Sequence, residues 1–171
     1  MIRYTVGDCV LGQVLIAATD RGVCALSFGS DADGMDAWLP EEFPGAELVR
    51  DDAALAEWLD RVRAILDGSD AEIPLDSQGT AFQHRVWAAL RTIPRGETRT
   101  YRDVAAALGV PGSVRAVARA CATNPVSLIV PCHRVVGSDG SLRGYRWGVE
   151  RKRDLLAWEA GKNPARLPAK C

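Results

Sequence analysis

A cysteine, a histidine and an arginine follow one another as Cys132, His133 and Arg134, directly after the apolar run 126–130. A cysteine is a nucleophile only as the thiolate, and a neighbouring histidine and positive charge favour that form. Most single cysteines are inert core residues, so the adjacency alone leaves both interpretations open. The segment predicts a reactive thiol, provided that the surrounding elements bring a substrate to Cys132.

The adjacency of Cys132 and His133 limits how a proton can pass between them. If the run 126–130 continues as a strand, neighbouring side chains point to opposite sides. Direct transfer is then not expected, and a bridging water is a reasonable relay. A third group should orient the imidazole.

The elements that must position the cysteine follow a helical pattern. Residues 101–108 and 113–122 read as two short helices around a Gly-containing turn, which is a helix-turn-helix pattern, and Ser113 is expected to cap the second helix. The other elements predicted in this half are a helix that begins at Thr80, a strand 126–130, a Gly-rich loop 137–148, a helix 149–160 and a frayed tail from Gly161.

The first half of the chain reads as an α/β arrangement. Residues 3–8, 12–19 and 22–28 are rich in Val, Ile, Leu and Tyr and predict a small antiparallel sheet. One helix is expected around residues 35–39. A second, amphipathic helix is expected to begin at Asp51 or Asp52 and to end at Gly68.

The two halves carry opposite charge. Residues 1–80 hold 5 Lys and Arg against 16 Asp and Glu, and residues 81–171 hold 16 against 6. This asymmetry predicts two domains, 1–79 and 80–171, with the basic second domain as the surface for a polyanion. The alternative is that the charges only solubilise each surface.

The cysteine count and the hydropathy limit which cellular compartment is expected. The five cysteines are odd in number and form no tight pairs, which argues against a secreted disulfide framework and favours the reducing cytoplasm. No apolar run approaches the roughly 18 residues of a membrane span. The histidines are His84 and His133, and no Cys-x-x-Cys spacing exists, so we expect no metal and no cofactor.

Residues 80–159 resemble the active-site half of the alkylguanine-DNA alkyltransferases, especially bacterial members and the acceptor half of adaptive-response regulators. The matched positions occur in order along the chain. They are Phe82, Gln83, Val86, Trp87, Gly96, Glu97, Thr98, Tyr101, residues 115–118, Asn124, residues 131–136 and residues 144–148.

The resemblance implies a fold and a reaction. The fold is a ribonuclease H-like α/β domain followed by a mostly helical, winged-helix-like domain with a helix-turn-helix. The reaction moves an alkyl group from oxygen-6 of guanine in double-stranded DNA to Cys132, with oxygen-4 of thymine left open as a second substrate. The alkyl group stays on the sulfur as a thioether, so each protein molecule reacts once. The protein is expected to be a monomer.

The resemblance also assigns catalytic roles. His133 would act as the base through a water, oriented by Glu159. Tyr101 would donate a proton toward ring nitrogen-3 of the leaving guanine. On the sequence alone, Glu159 would more often be a solvated helix residue, and Tyr101 a packing residue.

A third set of residues would face the nucleic acid. Arg115 matches the arginine that fills the stack when a base is flipped out. Ala116 and Ala118 permit close approach to a backbone, although helix packing also favours alanine. The basic residues expected to serve phosphates, each with a solvated surface position as the alternative, are Arg119, Arg95, Arg99, Arg102 and Lys152.

The remaining matched residues would form the guanine pocket. Asn124 would brace the turn that carries the cysteine, Val135 and Tyr145 would line the pocket, and Ser138 would form its lip. Trp147 and Ser127 depart from the human member, which has glycine and proline there. The bulky Trp147 predicts a tight pocket that handles methyl groups well and benzyl groups poorly.

Two other classes of function remain open on the sequence. One is a helix-turn-helix DNA-binding protein in which Cys132 is inert. The other is a cysteine hydrolase that uses Cys132, His133 and Glu159.

Overall fold

The computed structural model describes residues 1–30 and 34–161. They divide into two compact units, one holding residues 1–78 and the other beginning at Gly79.

The first unit is built on a four-stranded sheet. Its strands are β1 (Ile2–Cys9), β2 (Gly12–Ala18), β3 (Val23–Gly29) and β4 (Leu48–Arg50). Their order is β3-β2-β1-β4. The first three pair antiparallel, as predicted, whereas β4 pairs parallel to β1. Three residues are too few to show an alternating pattern, so the sequence did not indicate β4.

The core of this unit lies on β2 and its neighbour β3. Residues Val14, Leu15, Ile16 and Ala17 of β2 are fully buried, as are most residues of β3. Because both faces of these strands are covered, their sequences are continuously apolar rather than alternating.

Two short helices complete the first unit, and both begin later than the sequence indicated. The first, α1, is Leu39–Glu42, and the second, α2, is Ala56–Leu66. Asp51 does not cap α2. Its carboxylate accepts from the backbone N–H of Ala54 at 3.0 Å and stabilises the turn ahead of the helix instead.

The second unit is mostly helical. Its helices are α3 (Ala81–Leu90), α4 (Tyr101–Ala107), α5 (Val114–Ala122) and α6 (Val149–Glu159). Two short parallel strands, β5 (Arg99–Thr100) and β6 (Val135–Val136), join the segment before α4 to the segment after the cysteine.

Helices α3, α4 and α5 pack together, and α4 and α5 form the predicted helix-turn-helix. The buried indole N–H of Trp87 on α3 donates to the carbonyl of Ala120 on α5 at 2.8 Å. This bond fixes α5 against α3, so the outer face of α5 is held in a defined position.

The predicted strand 126–130 is wrong. The N–H of Val130 donates to the carbonyl of Val126 at 3.0 Å, and Leu128 adopts a positive φ of 73°, so the segment is a closed turn. A 3₁₀ turn, Cys132–Arg134, follows it. A short apolar run between breakers does not distinguish a buried strand from a buried turn.

The helix caps of the second unit differ from one another. Thr80 forms a capping box with Gln83: its hydroxyl accepts from the Gln83 N–H at 3.1 Å, and the Gln83 side chain accepts from the Thr80 N–H at 2.8 Å. Ser113 precedes α5, but its side chain makes no capping hydrogen bond, so the expected Ser113 cap is wrong.

Replacement of the two hydroxyl residues should therefore have unequal effects. We expect Thr80→Ala to lower the free energy of unfolding by about 1 kcal/mol, because the hydrogen bond that the Thr80 hydroxyl accepts from the Gln83 N–H is lost. The control Ser113→Ala should change it by only a few tenths of a kcal/mol, roughly the effect of a surface substitution. Urea denaturation of the full chain measures both. Equal losses would contradict the assigned caps.

Candidate active site

Cys132 lies buried at the start of the 3₁₀ turn, with 7% of its surface exposed. The turn ahead of it is braced by the buried side chain of Asn124. That amide donates to the carbonyl of Val130 at 2.8 Å and accepts from the N–H of Val126 at 3.0 Å. Both ends of the closed turn are thus hydrogen-bonded to one side chain, which fixes the position of Cys132 after the turn.

The environment of Cys132 does not favour the thiolate at rest. Burial raises the pKa of the Cys132 thiol, and the hydrogen bond from Asn124 and the charge of Lys152 lower it only in part. The thiol is therefore protonated at neutral pH, and a base has to remove its proton before the sulfur can act as a nucleophile.

His133 is fully buried beside it. Its Nε2 lies 2.8 Å from Oε1 of Glu159. Burial lowers the pKa of His133, although the hydrogen bond to Glu159 acts in the opposite direction, so the imidazole is neutral at pH 7. Because a carboxylate only accepts, Nε2 carries the proton and Nδ1 keeps its lone pair.

That Nδ1 is buried and has no hydrogen-bond partner within residues 1–30 and 34–161. A neutral histidine whose second nitrogen is held by a carboxylate is suited to accept a proton at Nδ1.

Glu159, near the end of α6, is held ionised by a residue that was not expected in the site from the sequence. Arg134 donates to Oε2 at 2.9 Å and to Oε1 at 2.7 Å, and its other terminal nitrogen donates to the carbonyl of Ile93 at 2.7 Å. Burial alone would raise the pKa of Glu159. The hydrogen bonds from His133 and Arg134 outweigh it and lower that pKa to about 2.

The adjacency of Arg134 to His133 was the available signal in the sequence, but extended geometry would point the two side chains to opposite sides. In the 3₁₀ turn both side chains reach one carboxylate. From the sequence, its charge was expected only to influence the cysteine.

Tyr101 is the first residue of α4 and borders the same cluster. Burial, followed by the charges of Cys121 and Cys132, raises the pKa of Tyr101 to about 12. Its hydroxyl is therefore protonated at neutral pH and is able to donate.

Lys152 is not a phosphate contact, and the prediction that it serves one is wrong. Only 1% of the residue is exposed. Its Nζ donates to the carbonyls of Leu142 at 2.7 Å and Gly144 at 3.2 Å. A side chain buried on the inner face of α6 cannot reach a DNA backbone.

The two residues that depart from the human pattern contact each other. The indole N–H of Trp147 donates to the hydroxyl of Ser127 at 2.7 Å, and Ser127 lies within the turn before Cys132. The Arg146 guanidinium stacks over the Trp147 ring at 4.8 Å. A proline at position 127 could not accept this bond.

The other residues predicted to form the guanine pocket differ in exposure. Val135 is fully buried on β6, and Ser138 is exposed in the turn that follows. The hydroxyl of Tyr145 is buried near the hydroxyl of Ser127. Burial raises the pKa of Tyr145 well above its ordinary value and the nearby Cys132 raises it further, whereas the hydrogen bond with Ser127 lowers it in part.

The residues predicted to face DNA lie mainly on the helix-turn-helix. Arg115 and Arg119 are exposed on α5, where Ala116 and Ala118 are half-buried, and Arg102 is exposed on α4. Arg95 is half-buried. Arg99 is exposed but already forms an ion pair with Glu97 at 2.8 Å, so any phosphate contact has to compete with that carboxylate.

Two kinds of feature are absent from the described residues. No helix among them is long and apolar enough to cross a membrane. No group of three or more His, Cys, Asp or Glu side chains in residues 1–30 and 34–161 could hold a metal ion.

The fold and site together define a two-unit protein whose helix-turn-helix unit holds a buried thiol beside a His-Glu-Arg chain of hydrogen bonds. Residues 2–76 match the family described as 6-O-methylguanine DNA methyltransferase, ribonuclease-like domain, and residues 81–161 match its DNA binding domain. This chain belongs to the 6-O-methylguanine DNA methyltransferase family. The predicted resemblance and the predicted two-part fold are confirmed.

Individual relatives agree with this assignment. The chain is 47% identical over 171 residues to the methylated-DNA–protein-cysteine methyltransferase of Mycobacterium tuberculosis, covering 98% of each. It is 48% identical over 161 residues to the bifunctional transcriptional activator/DNA repair enzyme Ada of Escherichia coli. That match covers 93% of this chain but 46% of Ada, so the chain spans about half the length of the Ada-type relatives.

The solved structures show the same fold. The crystal structure of Mycobacterium tuberculosis OGT in complex with DNA superposes with a TM-score of 0.80 at 37% identity, covering 95% of this chain and 96% of that one.

The low pKa of Glu159 predicts a pH-dependent stability. We expect Glu159→Gln to cost about 3 kcal/mol at neutral pH, because Arg134 then keeps a buried charge without its partner. As the pH falls from the ordinary value of 4.5 toward about 2, the wild-type carboxylate is protonated and loses this stabilisation, so the difference between the proteins shrinks.

Urea denaturation across that pH range tests this expectation. The control is Glu97→Gln, which removes an exposed ion pair and should have little effect at any pH. A difference between wild type and Glu159→Gln that is independent of pH would contradict the assigned pKa.

Proposed function

We propose that this chain repairs alkylated double-stranded DNA by transferring a methyl group from oxygen-6 of guanine to the sulfur of Cys132, in a reaction that consumes the protein. The observation that carries the proposal is the buried Cys132 in one unit with the His133-Glu159-Arg134 chain and an Arg-bearing helix-turn-helix. The similarity to methylated-DNA–protein-cysteine methyltransferases and to the OGT–DNA complex supports it.

The first step is removal of the thiol proton. The neutral His133 takes it at Nδ1 through a water, and the imidazolium that forms is stabilised by the ionised Glu159 at 2.8 Å. Arg134 keeps Glu159 ionised and in place, so the protonated histidine always faces a negative charge.

The second step is an in-line displacement. The thiolate forms a bond to the methyl carbon while the bond from that carbon to oxygen-6 breaks, and the electron pair passes to the guanine. Tyr101, whose raised pKa keeps it protonated, donates a proton toward ring nitrogen-3. The proton on His133 returns to Tyr101 through solvent, so the products are neutral guanine and a thioether.

The thioether explains the single use. An alkylated sulfur is a poor leaving group at neutral pH, so the thioether persists and each chain reacts once.

The buried position of Cys132 requires the base to leave the duplex. Flipping costs a few kcal/mol, and less at a damaged pair. In this proposal Arg115 fills the vacated stack, Ala116 and Ala118 allow close approach, and the phosphates meet the basic residues that remain accessible. Those are Arg119, Arg95, Arg99 and Arg102.

The extruded guanine would enter beside the Gly-rich loop. Asn124 positions the cysteine turn, the Cys132 and Val135 backbone carbonyls read the exocyclic amine, and Tyr145 lines the pocket. The Trp147–Ser127 pair narrows it, and Ser138 forms its lip. A monomeric state, cytoplasmic location and the exclusion of benzyl groups stay predictions.

A methyl count separates this function from its rivals. We expect excess methylated duplex DNA to leave about one methyl group on each chain, on Cys132, because the nucleophile is not regenerated. No transfer would indicate a binding protein, and continued product release would indicate a turnover enzyme. Mass spectrometry of the intact chain gives the count. Cys132→Ser should abolish transfer, and the control Cys121→Ser, which removes another buried thiol, should retain it.

Arg115→Ala tests the base-flipping step. We expect the single-turnover rate on duplex DNA to fall at least about tenfold, because flipping costs a few kcal/mol that Arg115 offsets. Reaction with the free methylated base should be unchanged. The control Arg119→Ala, exposed on the same helix, should weaken binding and lower the salt dependence by about one unit of slope. Equal losses on duplex and free base would remove Arg115 from this role.

A further inference from the structure

Lys152 is among the largest fully buried side chains of the protein, although lysine is almost never fully buried without partners. Burial of an ammonium is costly unless hydrogen bonds compensate it. Two backbone carbonyls, of Leu142 and Gly144, accept from Nζ at 2.7 and 3.2 Å. The Lys152 side chain therefore stabilises the loop that contains those two carbonyls.

That loop is strained between the two carbonyls. The N–H of Gly144 donates to the carbonyl of Leu142 at 2.9 Å across a single residue, Arg143, whose φ is 64°. A three-residue turn with a positive φ at its centre is the rare, strained form of the γ-turn. Such geometry persists only where its surroundings hold it, and Lys152 bonds to the carbonyls on both sides of the strained residue.

The same lysine also contacts the Tyr101 side. Its Nζ lies 5.9 Å from the centroid of the Tyr101 ring, within the range of a cation–π interaction. Lys152 and Glu159 are seven residues apart on α6, about two helical turns, so they share one face. One helix thus orders the loop and Tyr101 through Lys152, and His133 through Glu159.

The loop leads directly to the pocket wall. Tyr145 and Trp147 follow Gly144, and Trp147 bonds to Ser127 in the turn before Cys132. A shift of the γ-turn would therefore also displace Tyr145 and Trp147, and through Trp147 the turn that carries Cys132.

The charge of Lys152 acts on the same centre. It lowers the pKa of Cys132 and of Cys121 against the raising effect of their burial. The groups whose charge or hydrogen bonding couples to Cys132 are Asn124, Lys152, Arg146, Tyr101, Cys121 and Tyr145. Of these groups, Lys152 and Arg146 are cations, and Lys152 is the buried one.

We infer that Lys152 is a positioning residue for the methyl transfer: its ammonium holds the strained turn 142–144 beside Tyr101 and places a buried positive charge next to the cysteine that accepts the methyl group. The inference rests on the proposed function. It replaces the expected phosphate contact, and it differs from a packing role, in which an apolar side chain of similar length would serve equally well.

Lys152→Met distinguishes the three roles, because methionine keeps the length and removes the charge and the hydrogen bonds. We expect the variant to bind duplex DNA within about twofold of wild type and to transfer methyl groups at least about tenfold more slowly at pH 7, with the pH–rate profile displaced to higher pH. The matched control is Arg153→Met, an exposed neighbour on α6, which should leave rate and profile unchanged.

Three results would overturn the inference. A normal rate in Lys152→Met would mean packing alone, a loss of DNA affinity with a reduced salt slope would mean phosphate contact, and a slow rate with an unmoved profile would exclude the charge effect. If Lys152→Met does not fold by circular dichroism, Lys152→Gln, which keeps one donor and removes the charge, is held to the same criteria.

A readout without DNA separates this inference from the proposed function. The pH dependence of Cys132 labelling by iodoacetamide, read from its peptide, should move to higher pH in Lys152→Met. If the wild-type chain transfers no methyl group, the proposed function fails, and an unmoved labelling profile is the separate result that overturns the role of Lys152.

Discussion

The bidentate contact between Arg134 and Glu159 is the interaction on which the proposed site depends. Glu159 has 2% of its side chain exposed, and burial alone would raise its pKa, but two hydrogen bonds from Arg134 and one from His133 keep it charged. Without that charge, the imidazolium that forms when His133 takes a proton would lose the anion that stabilises it. The thiol of Cys132, whose pKa burial raises, would then have no group to receive its proton.

Burial therefore has opposite consequences for the members of the site. It keeps Cys132 and Tyr101 protonated and His133 neutral, so the resting site carries few free charges. It also strengthens each remaining electrostatic contact, because the interior screens charges less than water does. The partly buried Arg134 and the buried Lys152 each have an acceptor at 2.7 Å, which offsets the cost of removing their charges from water.

Local patterns predicted much of the fold and of the candidate site. The apolar runs of β2 and β3, the helical periods of α3 to α6 and the Pro-Cys-His-Arg segment were all readable in the sequence. The wrong predictions are those that depend on contacts with residues outside the segment itself. The run 126–130 has the composition of a strand, but Asn124 bonds to both of its ends and closes it into a turn. Ser113 is of a residue type that commonly caps helices, but it makes no capping hydrogen bond, whereas Thr80 makes one.

The two-part organisation, the candidate nucleophile, the histidine and the Arg-bearing helix were predicted from the sequence, because these depend on residue type and on periods within one element. Which basic residues lie inside became visible only in the folded chain. Lys152 and Arg134 look like surface cations in the sequence, yet one bonds to the loop carbonyls and the other to Glu159. The physical reason is that the cost of burying a cation depends on acceptors contributed by segments distant in the chain, and no local pattern records them.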